Sequence, residues 1–126
     1  MYREYVLDVR IVEVPRPSEE TTYRFEAQEH AGVEFEDPET AELYADVYFD
    51  VNGFREAGTG ERGVPPVVIQ AGRDTLATYF LTQLGTDVNW VASFYGVKTS
   101  KVKRYVAAVR KRAEEIRAGV KDAEVA

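Results

Sequence analysis

The sequence predicts an α+β protein, with an antiparallel sheet of about four strands in its first half and a unit of three helices in its second. Three observations predict it. Apolar residues alternate with polar ones through most of residues 2–51. Turn-forming clusters interrupt that alternation at short intervals. Beyond the glycine-rich stretch Gly58–Gly63 and the stiff Val64-Pro65-Pro66, apolar residues recur at helical spacing instead.

The first strand runs from Tyr2 to Val14, with Tyr5, Leu7, Val9 and Ile11 on one face. Pro15 and Pro17 end it, and Ser18–Glu20 make a polar turn. Thr21–Glu29 follows with Tyr23, Phe25 and Ala27 in register, and Ala31-Gly32 permits a reversal into Val33 and Phe35. Asp37-Pro38-Glu39-Thr40 is a turn, or equally the cap of a short helix. The cleanest alternation places Leu43, Ala45, Val47, Phe49 and Val51 opposite Tyr44, Asp46, Tyr48 and Asp50, and so predicts a strand. Asn52-Gly53 is then a hairpin signal, with Phe54–Ala57 pairing back. Val67–Ile69 is either a last short strand or a first helical turn started by Pro66. Asp74 is placed to cap a helix whose stripe is Leu76, Ala77, Phe80, Leu81 and Leu84, closed by Gly85. Thr86 is placed to cap the next helix, to about Tyr95. Thr99 or Ser100 starts the last, with Val102, Tyr105, Val106, Val109, Ala113 and Ile116 buried and Gly119 at its end.

Charge is distributed unevenly. Residues 1–65 hold six arginines against sixteen acids, whereas residues 66–126 hold ten bases against six acids. From Val97 to Arg112 there are seven bases and no acid, and every lysine lies at or beyond Lys98. An acidic chain of net charge −6 that gathers its cations in one segment carries the electrostatic footprint of a polyanion-binding surface. Basic residues commonly suit the C-terminal end of a helix, but Lys98, Lys101, Lys103 and Arg104 fall at a helix start, where the dipole disfavours them. There is no cysteine, hence no disulfide or thiolate site. No apolar run approaches a membrane span, and the charged N-terminus does not read as a signal-peptide core, so a cytoplasmic protein is expected.

Residues 88–107, VNWVASFYGVKTSKVKRYVA, resemble the helix-turn-helix superfamily of DNA-binding domains. Ala92 stands at the close approach of two helices, Gly96 at the turn, and Val102 at the buried anchor of the second helix. Val91, Tyr95, Val97 and Tyr105 fall on the other apolar positions. The resemblance implies a second helix that enters the major groove of double-stranded DNA. Its DNA-facing positions fall on Lys98, Thr99, Ser100, Lys103, Arg104 and Ala107. Lys101, Arg110, Lys111 and Arg112 lie off that edge, toward backbone phosphate or water; of these, Lys101 and Lys111 join the candidate DNA contacts. The superfamily's winged members add a hairpin after this helix, which has no counterpart here. The high Asp and Glu content with few lysines is similar to proteins of salt-loving archaea and their viruses, in whose salty interior phosphate contacts are weakened.

The remaining constellations are weaker. His30 has no second histidine, and Glu34, Glu36, Asp37, Glu39 and Glu42 match no calcium loop, so no metal or cofactor is expected. GTGERG lacks a phosphate loop's Gly-Lys-Ser/Thr ending and reads as a linker. No catalytic triad can be assembled, and Tyr105, although near arginines, falls on a buried face. Trp90, Phe94 and Tyr95 read as helix-packing residues. The expectation is a non-enzymatic, sequence-specific DNA-binding protein acting as a small transcriptional regulator. An acidic β-rich unit at 1–64, through its strand faces or Tyr44 and Tyr48, is expected to make a homodimer or bind a partner, and a helix-turn-helix DNA-binding unit is expected at 65–126. The alternatives are a replication, partition or recombination accessory factor, or a protein-interaction module whose basic helix docks on an acidic partner.

Overall fold

The computed structural model describes residues 1–17, 20–28, 30, 32–54 and 64–125, and the protein is α+β. Four strands, β1 (Arg3–Glu4), β2 (Arg10–Val14), β3 (Thr22–Glu26) and β4 (Val33–Phe35), form one antiparallel sheet in that order. Among the described residues five helices follow: α1 (Pro38–Asp50), α2 (Pro66–Ala71), α3 (Arg73–Leu81), α4 (Val88–Tyr95) and α5 (Thr99–Val125). GTGERG and Arg55–Ala57, expected as linker and returning strand, lie outside the described residues.

The expected first strand is two strands. Leu7 and Asp8 both take positive φ, 61° and 59°, and the Val9 N–H donates to the Val6 carbonyl, making a tight reversal of the kind that suits strand twist. Leu7 is thereby expelled from the apolar face and exposed, while Val9 and Ile11 remain buried. Ile11, Phe25 and Val33 are register partners across the sheet and share its inner face. The outer face is charged and pairs with itself: Arg10 and Arg24 both hold Glu26, and Arg16 holds Glu34.

The expected strand from Leu43 to Val51 is instead helical. Asp37 caps α1, its Oδ1 accepting the Thr40 N–H at 2.8 Å, and Pro38 occupies the first turn. Alternation misleads here because α1 is the middle layer, packed on β3 and β4 on one side and on α3 and α5 on the other. A helix buried almost all round has no polar stripe to reveal its period. Asn52 and Gly53 do use positive φ, but to end this helix. The Gly53 N–H reaches the Tyr48 carbonyl and the Asn52 N–H the Phe49 carbonyl, the paired bonds of a Schellman motif.

Tyr44 is fully buried and Tyr48 partly so, in an aromatic cluster with Phe25, His30 and Phe54. These tyrosines therefore build the core and do not present a dimer face. His30 Nδ1 accepts the Gly32 N–H, which leaves the ring proton on Nε2, 2.8 Å from the Tyr44 hydroxyl. The larger core cluster joins Val9, Ile11, Phe25 and α1 to Val68, Tyr79, Val109 and Ala113, so it draws on both sides of residue 64.

Further boundaries shift. Val67–Ile69 is helical, within α2. Gly72 rather than Asp74 precedes α3, which ends at Leu81, so Gly85 lies beyond it and Leu84 is exposed rather than buried. Asp87, not Thr86, caps α4; the Thr86 hydroxyl donates to the Phe80 and Gln83 carbonyls. Gly119 does not end α5, which runs 27 residues to Val125, about 40 Å at 1.5 Å per residue. No helix among the described residues is long and apolar enough to cross a membrane.

Arginines of α5 fasten it to α1. Arg117 donates to Asp46 at 2.9 Å and lies 5.1 Å from the ring centres of both Tyr5 and Phe49. Burial pushes the Asp46 carboxyl above its ordinary value of 3.8, and the Arg117 hydrogen bond pulls it back only in part. Ionisation of Asp46 therefore costs stability as pH rises through its folded-state value. Arg117→Ala is expected to destabilise by about 2 kcal/mol at neutral pH, less than complete loss of a partner because Arg110 stays near Asp46. Without Arg117 the carboxyl rises further, so the deficit narrows as pH falls toward 3.8. Urea unfolding of both proteins at a series of pH values checks this; a deficit that widened on acidification would contradict it.

Candidate nucleic-acid interface

The candidate interface comprises α4, a tight turn and the first half of α5. Asp87 starts α4 by accepting the Trp90 N–H at 2.8 Å. Gly96 ends it in the left-handed region at φ 67°, with its own N–H on the Ser93 carbonyl and the Val97 N–H on the Ala92 carbonyl. The chain reverses within Gly96-Val97-Lys98 and enters α5 at Thr99. Ala77, Val91, Ala92 and Val102 form a separate small core beneath this turn, with Tyr95, Val97 and Tyr105 packed against it. Ala92 and Val102 are both buried where α4 meets α5. Nothing lies within 4 Å of a Cβ placed on Gly96, so Gly96→Ala meets a purely conformational penalty. The expected loss is about 1 kcal/mol, read as a lower urea midpoint at unchanged slope; an unchanged midpoint would show that the turn tolerates an L side chain at this φ.

Lys98, Thr99, Ser100, Lys101, Lys103, Arg104 and Lys111 are all exposed. Ser100, Arg104, Ala107 and Lys111 recur at helical spacing and form one outward stripe, diametrically opposite Val102, Val109 and Ala113. Lys111 thus belongs to the centre of the face, not off its edge. Thr99 and Lys103 flank the stripe on one side and Lys101 on the other. The stripe changes sign one turn beyond Lys111, where Glu114 and Glu115 are exposed. From Thr99 to Lys111 the positive stretch is about 18 Å long.

Arg110 and Arg112 serve the fold. Arg112 grips the Asp50 carboxylate with Nε at 2.7 Å and Nη2 at 3.0 Å, and holds Asp74 with Nη1 at 2.8 Å. These bonds raise its pKa above the usual guanidinium value. Arg110 Nε lies 3.7 Å from Asp46. Among the described residues, Lys98, Lys101, Lys103, Arg104 and Lys111 have no ion-pair partner. Part of the charge asymmetry between the halves is therefore consumed internally, and most of the remainder is gathered between Lys98 and Lys111. Helices α1 and α4 begin with aspartate caps, but the first turn of α5 contains no acid. Its amide dipoles and its lysines consequently point the same sign outward.

Two features escaped the sequence pattern. Arg73, at the start of α3, lies 5.2 Å from the Tyr95 ring centre and brings another cation close to the turn. Its one sequence signal is isolation, as the sole base between Arg62 and Lys98. Trp90 and Phe94, expected to pack between helices, are instead 43% and 55% exposed. No strand follows α5 among the described residues. The chain matches no family model, no curated protein and no solved structure.

Proposed function

We propose that the protein binds double-stranded DNA through the first half of α5, reading sequence as a small transcriptional regulator and not as a catalyst. The observation that carries this reading is the exposed stripe Ser100–Arg104–Ala107–Lys111, flanked by Lys101 and Lys103, with no acid on it and no internal ion pair among the described residues. Five cations without ion-pair partners among the described residues, gathered between Lys98 and Lys111 within about four helical turns, would repel one another on a surface that met only water. A phosphate backbone relieves that repulsion through counterion release. The resemblance of residues 88–107 to helix-turn-helix domains supports the same face, since α4, the Gly96 turn and α5 have the elements that resemblance requires. Arg104, at the centre of the stripe, is suited to the O6 and N7 atoms of guanine. Lys98, Thr99 and Ser100, at the helix start, are suited to phosphate. His30 and Tyr105, the side chains nearest to catalytic candidates, are engaged in packing.

Selection of bound fragments from random duplex DNA, at more than one salt concentration, tests the proposal. Enrichment of a common sequence supports it. Retention of fragments without enrichment would reduce the protein to a non-specific DNA binder. Absence of any duplex shift, with self-association that salt disrupts, would mean that the basic helix docks on an acidic protein surface instead.

A further inference from the structure

From Gln83 to Val97 the chain carries a single charged residue, Asp87, although 30% of all its residues are charged. The polar side chains of that segment are otherwise neutral: Gln83, Thr86, Asn89 and Ser93. In their midst the rings of Trp90 and Phe94, one helical turn apart on α4, stack at 5.4 Å with an interplanar angle of 10°. Phe80 backs both rings edge-on, at 5.9 Å and 5.4 Å. Leu84, in the connection before α4, is 93% exposed. Large apolar groups ringed by uncharged polar ones are the composition of an interface centre, not of ordinary surface.

We propose that the Trp90–Phe94 face of α4 is a self-association surface, and that its occupant is the same face of a second copy of this chain. Charge selects that occupant. Two chains of net charge −6 repel, and they approach at least cost where each presents a single charge, Asp87. A partner recognised by its charge would find almost none here to pair with. Geometry agrees, because two rings spaced by one helical turn are self-complementary under a two-fold axis. Trp90 of each copy then covers Phe94 of the other. The area sets the strength. Two half-exposed rings offer about 200 Å², well short of the roughly 800 Å² per partner of a standard stable interface. The contact is therefore weak and concentration-dependent. Since α4 packs on α5, such a pair would also fix the separation of two basic stripes, as paired half-sites require; that last step rests on the DNA reading, whereas the self-association does not.

Trp90 is the only tryptophan, so its emission reports this face alone. The test is run without DNA, following tryptophan emission and sedimentation as protein concentration rises to about 1 mM. The expected result is a shift of emission to shorter wavelength together with a rise from the mass of one chain toward two, neither weakened by added salt. Phe94→Lys removes a ring. Ser93→Lys adds a charge beside the rings while leaving both in place, at an exposed position that does not threaten the fold. Each variant is expected to lose both changes. The proposal is overturned by a constant emission and single-chain mass throughout, by association that survives unchanged in both variants, or by association that salt weakens while Trp90 emission stays fixed. A protein that shows the emission shift yet shifts no duplex would leave this surface standing and remove the DNA reading.

Discussion

Replacing Lys103 and Arg104 together by alanine is expected to weaken duplex binding on the order of a hundredfold while leaving the fold intact. Both side chains are exposed and have no ion-pair partner among the described residues, so their removal costs little stability. Their expected contributions to binding differ. Lys103, on the flank of the stripe, is suited to phosphate; its loss should lower affinity evenly across sequences and reduce the salt slope by about 1. Arg104, at the centre, is suited to a base edge, and its loss should cost about 1–3 kcal/mol and relax preference at one position of the site. Titration of the single and double variants against one duplex at several salt concentrations separates the two effects. Parent-like binding by the double variant over the whole titration would mean that another surface meets the DNA.

The second large effect is on stability. Arg112→Ala is expected to destabilise the protein by about 3 kcal/mol, because it strips the Asp50 carboxylate of its fork-like partner. The Asp50 side chain is only 4% exposed, and after the substitution the Thr75 hydroxyl, at 2.7 Å, is what remains to satisfy it among the described residues. Solvent reaches the outer part of the Arg112 side chain, which keeps the expected cost at the low end for a buried ion pair. Arg112→Lys retains the charge but cannot span both oxygens of Asp50 and Asp74 together, and should recover only part of the loss. Urea unfolding measures both variants. Because Arg112 faces α1 and α3 and not the outward stripe, duplex affinity measured on the folded fraction should stay at the parent value. A large affinity loss in a fully folded Arg112 variant would shift that residue from the scaffold to the binding face.

The residues that were legible in the sequence are those whose local chemistry had one outcome. Gly96 before Val97 could close a helix and did so. The alternation at Val9, Ile11, Tyr23 and Phe25 faced a one-sided core, and it gave the register partners Ile11 and Phe25. Strands β2 and β3 and the helical second half followed from such positions; the expected number of strands holds only because the division at Leu7-Asp8 offsets the helix at Leu43–Asp50. Where one pattern admits two structures, the sequence misled. Positive φ at Asn52-Gly53 serves a hairpin or a helix end equally, and the choice belonged to Pro38 and the Asp37 cap fourteen or so residues earlier. The Leu7-Asp8 reversal carried no glycine to announce it, and leucine in the left-handed region persists only because the surrounding sheet imposes it. At the candidate site, exposed cations could be placed from helical spacing alone. The separation of Arg110 and Arg112 from them could not, since it depends on where Asp46, Asp50 and Asp74 arrive in space.

The length of α5 has a consequence for how such a chain can change over generations. Its first turns present the basic stripe, and its later turns complete the core beneath the sheet through Val109 and Ala113. On the proposed DNA reading, recognition and stability are thus written on opposite faces of one rigid rod, not on parts that can be exchanged. Under that reading, a new preference arises by point substitution on the outward stripe, because exchanging α5 for a foreign helix would bring the wrong residues to Asp50 and Asp46 and unseat the fold.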